Sequence, residues 1–560
     1  MRVAVAVFLV CLMAGVAFPQ QAKGNAPDAI FYNAKVVTVD PSFSIQQAFA
    51  VKGDRFIAVG TNATIKNLRN PATHMVDLHG HTVVPGFADN HNHQYDAALI
   101  LLRGVNLAGV RSLTEMLNRV RQAVANAKPG ETILGSGGWS EARLVEQRGP
   151  TRYELDQLST DHSIVLMRTR ASLYLNTAAL NALGISRETE SFEGNRIPKD
   201  ANGEPTGVIS GVASAMKIAV KLAPETDDQK RQLILTEQKE QNALGLTSIR
   251  EVSLSPETMR IYYQLWLEKK LTMRVSMGLD VGPNDAQNMG QILSAWGVGP
   301  GFGNDWLRLD CVGEFAIDLV PYLRESPANS AGGKSGSTTI SADLFRNAVV
   351  TMNRYGWRPA IHISGDKALD VVLDGYSAAD REHSIRERRW VVEHIPLVHP
   401  DQMDRMSQLG VVVSAQFQTY GGYDGMVRTL GEERAEGTVP MREMLDHHLV
   451  VSAGSDWPGA TNNPIVPFYF YVTRKTFDGK LVGAKERISR EEALRVATIN
   501  EAYTTYEEKV KGSIEAGKLA DFVILSQDIL TVPEEQILAT HPLATFVGGQ
   551  EVFASSNGGF

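Results

Sequence analysis

Two imidazoles two residues apart, at the end of an apolar run, are the first feature of this chain able to do chemistry. The run is Thr82-Val-Val-Pro-Gly-Phe-Ala-Asp-Asn-His-Asn-His93. Residues two apart on an extended strand share a face, so His91 and His93 aim at one point. Neutral imidazole is a common ligand for divalent cations. Three further apolar runs end in groups of the same kind: Pro359-Ala-Ile-His362, Trp390-Val-Val-Glu-His394 and Val450-Val-Ser-Ala-Gly-Ser-Asp456. Singly, His362 and His394 read first as core histidines satisfied by a hydrogen bond, and Asp456 reads equally well as a helix cap. Together, four imidazoles and one carboxylate suit a borderline divalent metal such as zinc.

Those groups must be carried to one place. Between about residues 83 and 454, apolar strand-like runs alternate with helical segments, which argues for a parallel α/β sheet. Candidate strands are 83–88, 132–136, 163–167, 246–251, 273–279, 307–315, 358–363, 389–393, 411–416 and 450–454. Two of them, 132–136 and 163–167, fall in a long segment at about 100–225 that reads as an insertion after the first strand. The eight that remain fit a (β/α)8 TIM barrel. His91 and His93 then close strand 1, Glu314 strand 4, His362 strand 5, His394 strand 6 and Asp456 strand 8. Barrel enzymes keep their chemistry at these C-terminal strand ends. Short β patterns at both chain ends, such as Lys35-Val-Val-Thr-Val39 and Asp521-Phe-Val-Ile-Leu525, predict one composite β-sandwich. The expected division is 1–22 signal peptide, 23–83 and 506–560 the two parts of the β-sandwich, and 84–505 the barrel.

Composition bounds the function. The chain has 560 residues, 43% hydrophobic and 21% charged, with a net charge of −8. That balance and the lack of a basic stripe argue against a nucleic-acid partner. Arg2 followed by the apolar run Val3–Val16 reads as a secretory signal peptide, too short to span a bilayer comfortably. The competing reading is an anchor that stays in place. Export to the periplasm or exterior is the expectation, with no membrane span in the mature chain. Cys11 lies in that leader, so Cys311 alone remains and no internal disulfide can form.

Longer stretches carry a resemblance. They are Val84-Pro-Gly-Phe-Ala-Asp-Asn-His-Asn-His93, Gly135-Ser-Gly-Gly-Trp139, Asn202-Gly-Glu-Pro-Thr-Gly207, His362-Ile-Ser-Gly-Asp366, Glu393-His394, Gly454-Ser-Asp456 and Gly512-Ser-Ile-Glu-Ala-Gly-Lys-Leu-Ala-Asp521. In this order they resemble the amidohydrolase superfamily of metal-dependent hydrolases, in particular amidohydrolase family 3. The resemblance implies that His91 and His93 hold one metal ion and His362 and His394 a second. It implies that Asp456 is both a ligand and the proton shuttle. Where relatives carry a bridging carboxylated lysine, this chain has Glu314, four residues before Asp318, so one or two ions are expected. Trp139 and Asn176 fit the family pattern at positions read as substrate-contacting. Ala171 departs from it, standing where a histidine is common.

The function expected is hydrolysis of a non-peptide amide-type C–N bond in a small N-acyl or N-formyl substrate. A cyclic-amide or dipeptide-like substrate is the alternative on the same site. A binding protein that has lost catalysis is the alternative from another class. The oligomeric state is not legible in the sequence.

Overall fold

Eight parallel strands follow one another in chain order around a barrel. They are β1 (Phe87–Asn92), β2 (Leu246–Leu254), β3 (Arg274–Leu279), β4 (Leu307–Ala316), β5 (Pro359–Ile363), β6 (Val391–His394), β7 (Val412–Gln416) and β8 (Val451–Gly454). The computed structural model describes residues 26–556, apart from 103, 108, 138, 140, 142, 143, 170, 171, 193, 194, 211–214, 224 and 326–334. The expected leader at 1–22 and Ala171 lie outside the described residues. Among those described, no helix is long and apolar enough to cross a membrane.

The barrel is sealed at its C-terminal end. Asn92 bridges Trp457 in parallel. Asp456 N donates to His91 O at 2.8 Å, and His93 N to Trp457 O at 3.0 Å. The outer helices bury apolar stripes at helical spacing. Ser341 caps Ala342–Arg354, which buries Phe345, Ala348, Val349 and Met352. The next helix, Asp366–Glu382, buries Leu369, Val372, Leu373 and Tyr376.

The two chain ends share a sheet. Thr82–Pro85 lies between Lys35–Val37 and the C-terminal strand Phe522–Leu525. A second sheet, of Ala29–Tyr32, Ala48–Lys52, Arg55–Gly60 and His74–Asp77, packs against it. Phe31, Phe49, Phe56, Phe522 and Phe546 fill the space between the two. Phe522 and Phe546 stack with centroids 4.4 Å apart. The Arg274 guanidinium grips Asp521 with bonds of 2.7 and 2.8 Å, tying the barrel to this unit.

The run expected as a single strand at 83–88 is divided. Thr82–Pro85 belongs to the sandwich sheet and β1 starts at Phe87. Gly86 makes the turn-off, and a Cβ there would lie 2.1 Å from Thr247 Oγ1. The segment between β1 and β2 forms its own five-stranded sheet from Val105–Asn106, Ile133–Ser136, Ile164–Thr169, Ser172–Leu175 and Val208–Ser210. Ile164 and Leu166 pack on one side and Val165 and Met167 on the other, the alternation of a strand buried on both faces.

Barrel interiors are usually filled by layers of branched aliphatic side chains. Here much of the interior is charged. Arg250 on β2, Asp310 on β4, Arg358 before β5 and Glu393 on β6 are each at most 3% exposed.

Candidate metal centre

The strand ends bring the six sequence-predicted ligands into one cluster. His91 Nε2 and His93 Nε2 are 3.3 Å apart. Asp456 Oδ1 lies 3.5 Å from the first and 3.4 Å from the second. Glu314 Oε2 lies 3.5 and 3.7 Å from the same two atoms. Four ligands about 2.0–2.1 Å from a tetrahedral zinc ion stand about 3.3–3.4 Å from one another, so this donor set fits such an ion. The other Glu314 oxygen, Oε1, meets His362 Nδ1 at 2.5 Å and His394 Nε2 at 2.7 Å. Glu314 is thus shared by two triads able to hold a cation, one with His91 and His93 and one with His362 and His394.

Backbone conformation at two strand ends makes this convergence. Glu393 and His394 are neighbours and in a regular strand would point to opposite faces. His394 takes φ 70°, and both side chains meet the cluster. Asp456 takes φ 54°. His and Asp enter this left-handed region more readily than bulky residues. A Cβ on Gly454 would lie 2.5 Å from His91 Cβ, so glycine is what lets β8 close against β1. Asp89 pins the same seam by accepting from Ser455 N at 2.9 Å and Ser455 Oγ at 2.5 Å.

The charges are strongly coupled. Burial pushes the Glu314 carboxyl up, but His91 and His362 beside it outweigh that and hold it well below the usual range. Burial also pushes Asp456 up, and hydrogen bonds from His91 and His93 bring it well below. Burial lowers His91, while Glu314 and Glu393 carry it well above an ordinary imidazole. His394 is lowered by burial and by His362. Asp456 and His362 keep the most open side chains of the six, at 21% and 19%.

Trp139 and Asn176, expected to contact substrate, are both held within the inserted unit. Trp139 is buried in the core of the inserted unit and donates its Nε1–H to Met167 O at 3.1 Å. Asn176 is fully buried and caps the helix Thr177–Ala182. Its Oδ1 accepts from Ile164 N and Ala179 N, both at 2.9 Å. Its Nδ2 donates to Ser159 O at 3.0 Å and His162 O at 2.9 Å. All four hydrogen-bonding positions are occupied within the protein, so none is left for a substrate.

Sequence reasoning missed the groups behind the candidate ligands. Glu393 Oε2 lies 2.7 Å from His91 Nδ1. The Gln418 amide lies 3.0 Å from His394 Nδ1, and Ser364 Oγ 3.2 Å from His362 Nε2. Ser253 Oγ accepts from Glu314 N at 2.8 Å. A carboxylate adjoining His394 in the chain was the one visible signal. Asp318 accepts from Tyr322 N at 2.9 Å and Ser364 N at 2.7 Å, holding the backbone after β4 and β5.

The chain resembles known proteins over most of its length. The Amidohydrolase family matches residues 74–553. N-substituted formamide deformylase from Arthrobacter pascens is 28% identical over 538 residues, 93% of this chain and 97% of its own. Protein LONG AFTER FAR-RED 3 from Arabidopsis thaliana is 29% identical over 560 residues, 95% of this chain and 92% of its own. The crystal structure of an uncharacterized metal-dependent hydrolase from Pyrococcus horikoshii OT3 superposes with a TM-score of 0.73 at 23% identity, covering 90% of this chain and 99% of that one. A match over most of the chain, on a barrel whose rim gathers four imidazoles and two carboxylates, places this protein in the Amidohydrolase family, the metal-dependent hydrolases of carbon–nitrogen bonds.

Proposed function

We propose that the protein hydrolyses a non-peptide amide bond in a small N-acyl or N-formyl amine, with zinc as its cation. The observation that carries this is the pairing of a shared carboxylate, Glu314, with one partly open carboxylate, Asp456, at the same imidazole cluster. The likeness to N-substituted formamide deformylase over nearly its whole length supports an amide of a substituted amine. His91, His93 and Asp456 would hold one ion, His362 and His394 a second, and Glu314 would lie between them. When bound, a divalent cation supplies a Lewis acid that acidifies water and polarises a carbonyl.

The chain's own groups do the rest. Asp456 is the partly open carboxylate at the cluster, so it is the group placed to accept a proton. It takes one from the attacking water as the water oxygen bonds to the carbonyl carbon. It then gives that proton to the leaving nitrogen as the C–N bond breaks, yielding a carboxylic acid and an amine. Buried Asp89 and Ser455 hold the Asp456 turn against β1, so the carboxylate does not need to search for its position. We also propose export, on the strength of the basic start and apolar run within residues 1–22.

The test is elemental analysis of the purified protein, followed by a panel of N-formyl, N-acetyl and longer N-acyl amines, cyclic amides and dipeptides. Bound zinc and turnover confined to the N-acyl amines is the expected result. Turnover of cyclic amides or dipeptides alone would overturn the substrate assignment. Protein that binds no divalent cation would overturn the metal reading.

A further inference from the structure

The floor of the metal cluster is a buried chain of alternating charges. Arg358 donates through Nη2 to Asp310 Oδ1. Asp310 Oδ2 accepts from Arg250 Nε at 2.7 Å. Arg250 Nη1 donates to Glu393 Oε1 at 2.6 Å. Glu393 Oε2 lies 2.7 Å from His91 Nδ1. His91, Arg250 and Glu393 are all fully buried, so water cannot substitute for any of these bonds. The links come from β1, β2, β4, β6 and the residue before β5, across the inside of the barrel.

We propose that Glu393 is a positioning residue for cation binding: held by Arg250, it fixes His91 with its proton on Nδ1 and its Nε2 lone pair turned to the cluster. This rests on the reading of the cluster as a metal site. Glu393 has one oxygen on each partner, so it cannot turn from His91 without breaking the bond to Arg250. Arg250 is itself pinned, because Nη1 also donates to Asn90 O at 3.1 Å and Asn90 Oδ1 at 3.2 Å. A carboxylate behind a ligating imidazole sets its tautomer and makes it a stronger donor. The outer nitrogens of His362 and His394 meet the neutral Ser364 hydroxyl and Gln418 amide instead. Of these three imidazoles, His91 is the one with a full negative charge at its back, and the strength of cation binding should depend on Glu393 more than on Ser364 or Gln418.

The first experiment is zinc affinity by chelator competition on the full purified chain. Glu393→Gln keeps the shape and removes the charge, and a 10- to 100-fold weaker affinity is expected. Asp310→Asn breaks the same chain two links farther from His91, and an affinity within about threefold of wild type is expected on the same argument. Equal weakening by both variants would show a merely structural role and overturn the proposal, as would wild-type affinity in Glu393→Gln. Wild-type protein that binds no divalent cation would instead overturn the metal reading itself. A second measurement stands if either variant fails to fold. In zinc-loaded, [15N]histidine-labelled wild-type protein, the His91 signal, identified by its loss in His91→Asn, should report a proton on Nδ1 and none on Nε2. A proton on Nε2 with Nδ1 bare would overturn the proposal.

Discussion

The Trp457 indole donates its Nε1–H to the Glu237 carboxylate at 2.8 Å, so the residue after Asp456 is anchored to the helix that leads into β2. Glu237 is 3% exposed, and the same oxygen also receives Gln241 and Asn462 at 3.3 and 3.5 Å. Burial, aided by the charge of Glu240, pushes its carboxyl up to about 7. A carboxyl raised on folding stabilises the fold fully below its ordinary value of 4.5, and that contribution is lost as pH rises toward about 7. Glu237→Gln does not titrate. The stability of Glu237→Gln relative to wild type should therefore rise by up to about 3 kcal/mol between roughly pH 4.5 and 8. Urea melts of both proteins across that range would check it, and a difference that stays flat would reject the shift.

Asp456→Asn should keep most bound metal and substrate affinity while kcat falls about 10²–10⁴-fold. Asparagine offers a carbonyl oxygen to a cation but cannot carry a proton. Metal content and steady-state kinetics on the same preparation make the test. An Asn variant within a few-fold of wild-type kcat would remove Asp456 from proton transfer.

Glu314→Gln should lose metal and turnover together, because both Glu314 oxygens face imidazole pairs. An amide has one oxygen and cannot serve two cations as an acceptor on both arms. Stoichiometry by elemental analysis decides this, and an unchanged metal count with unchanged turnover would show that Glu314 is not a ligand.

Asn176→Ala should behave as a folding variant. It removes a helix cap and leaves two part-buried backbone oxygens and one further buried amide without that partner. A loss of about 2–3 kcal/mol in stability is expected, with KM and kcat per folded molecule unchanged. A tenfold rise in KM with normal stability would return Asn176 to the substrate site.

The barrel was legible because each strand is an apolar run that ends in a candidate ligand or a turn. The clustered residues were legible because four histidines and one aspartate stand at the ends of such runs, although each alone has an ordinary structural reading. Arg250, Asp310 and Glu393 were not, since a charge in a strand reads the same whether it faces outward or into a closed barrel. The boundary at Gly86 was hidden by continuous apolar character from Thr82 to Phe87, which two different sheets share. Trp139 and Asn176 show another limit of motif reading. A residue that fits a family pattern can owe its place to a helix cap or a core as readily as to a substrate.

The pairing of Thr82–Pro85 with Phe522–Leu525 also sets a timetable for biosynthesis. Residues 86–521 must leave the ribosome before the first strand can meet its neighbour, roughly 20–90 s at ordinary elongation rates. Throughout that interval the nascent chain carries an apolar strand with one unfilled edge, the kind of surface that recruits chaperones or sticks to other nascent chains. Deleting the last forty residues would make that transient state permanent, because Phe522–Leu525 and the strands beyond it would never arrive.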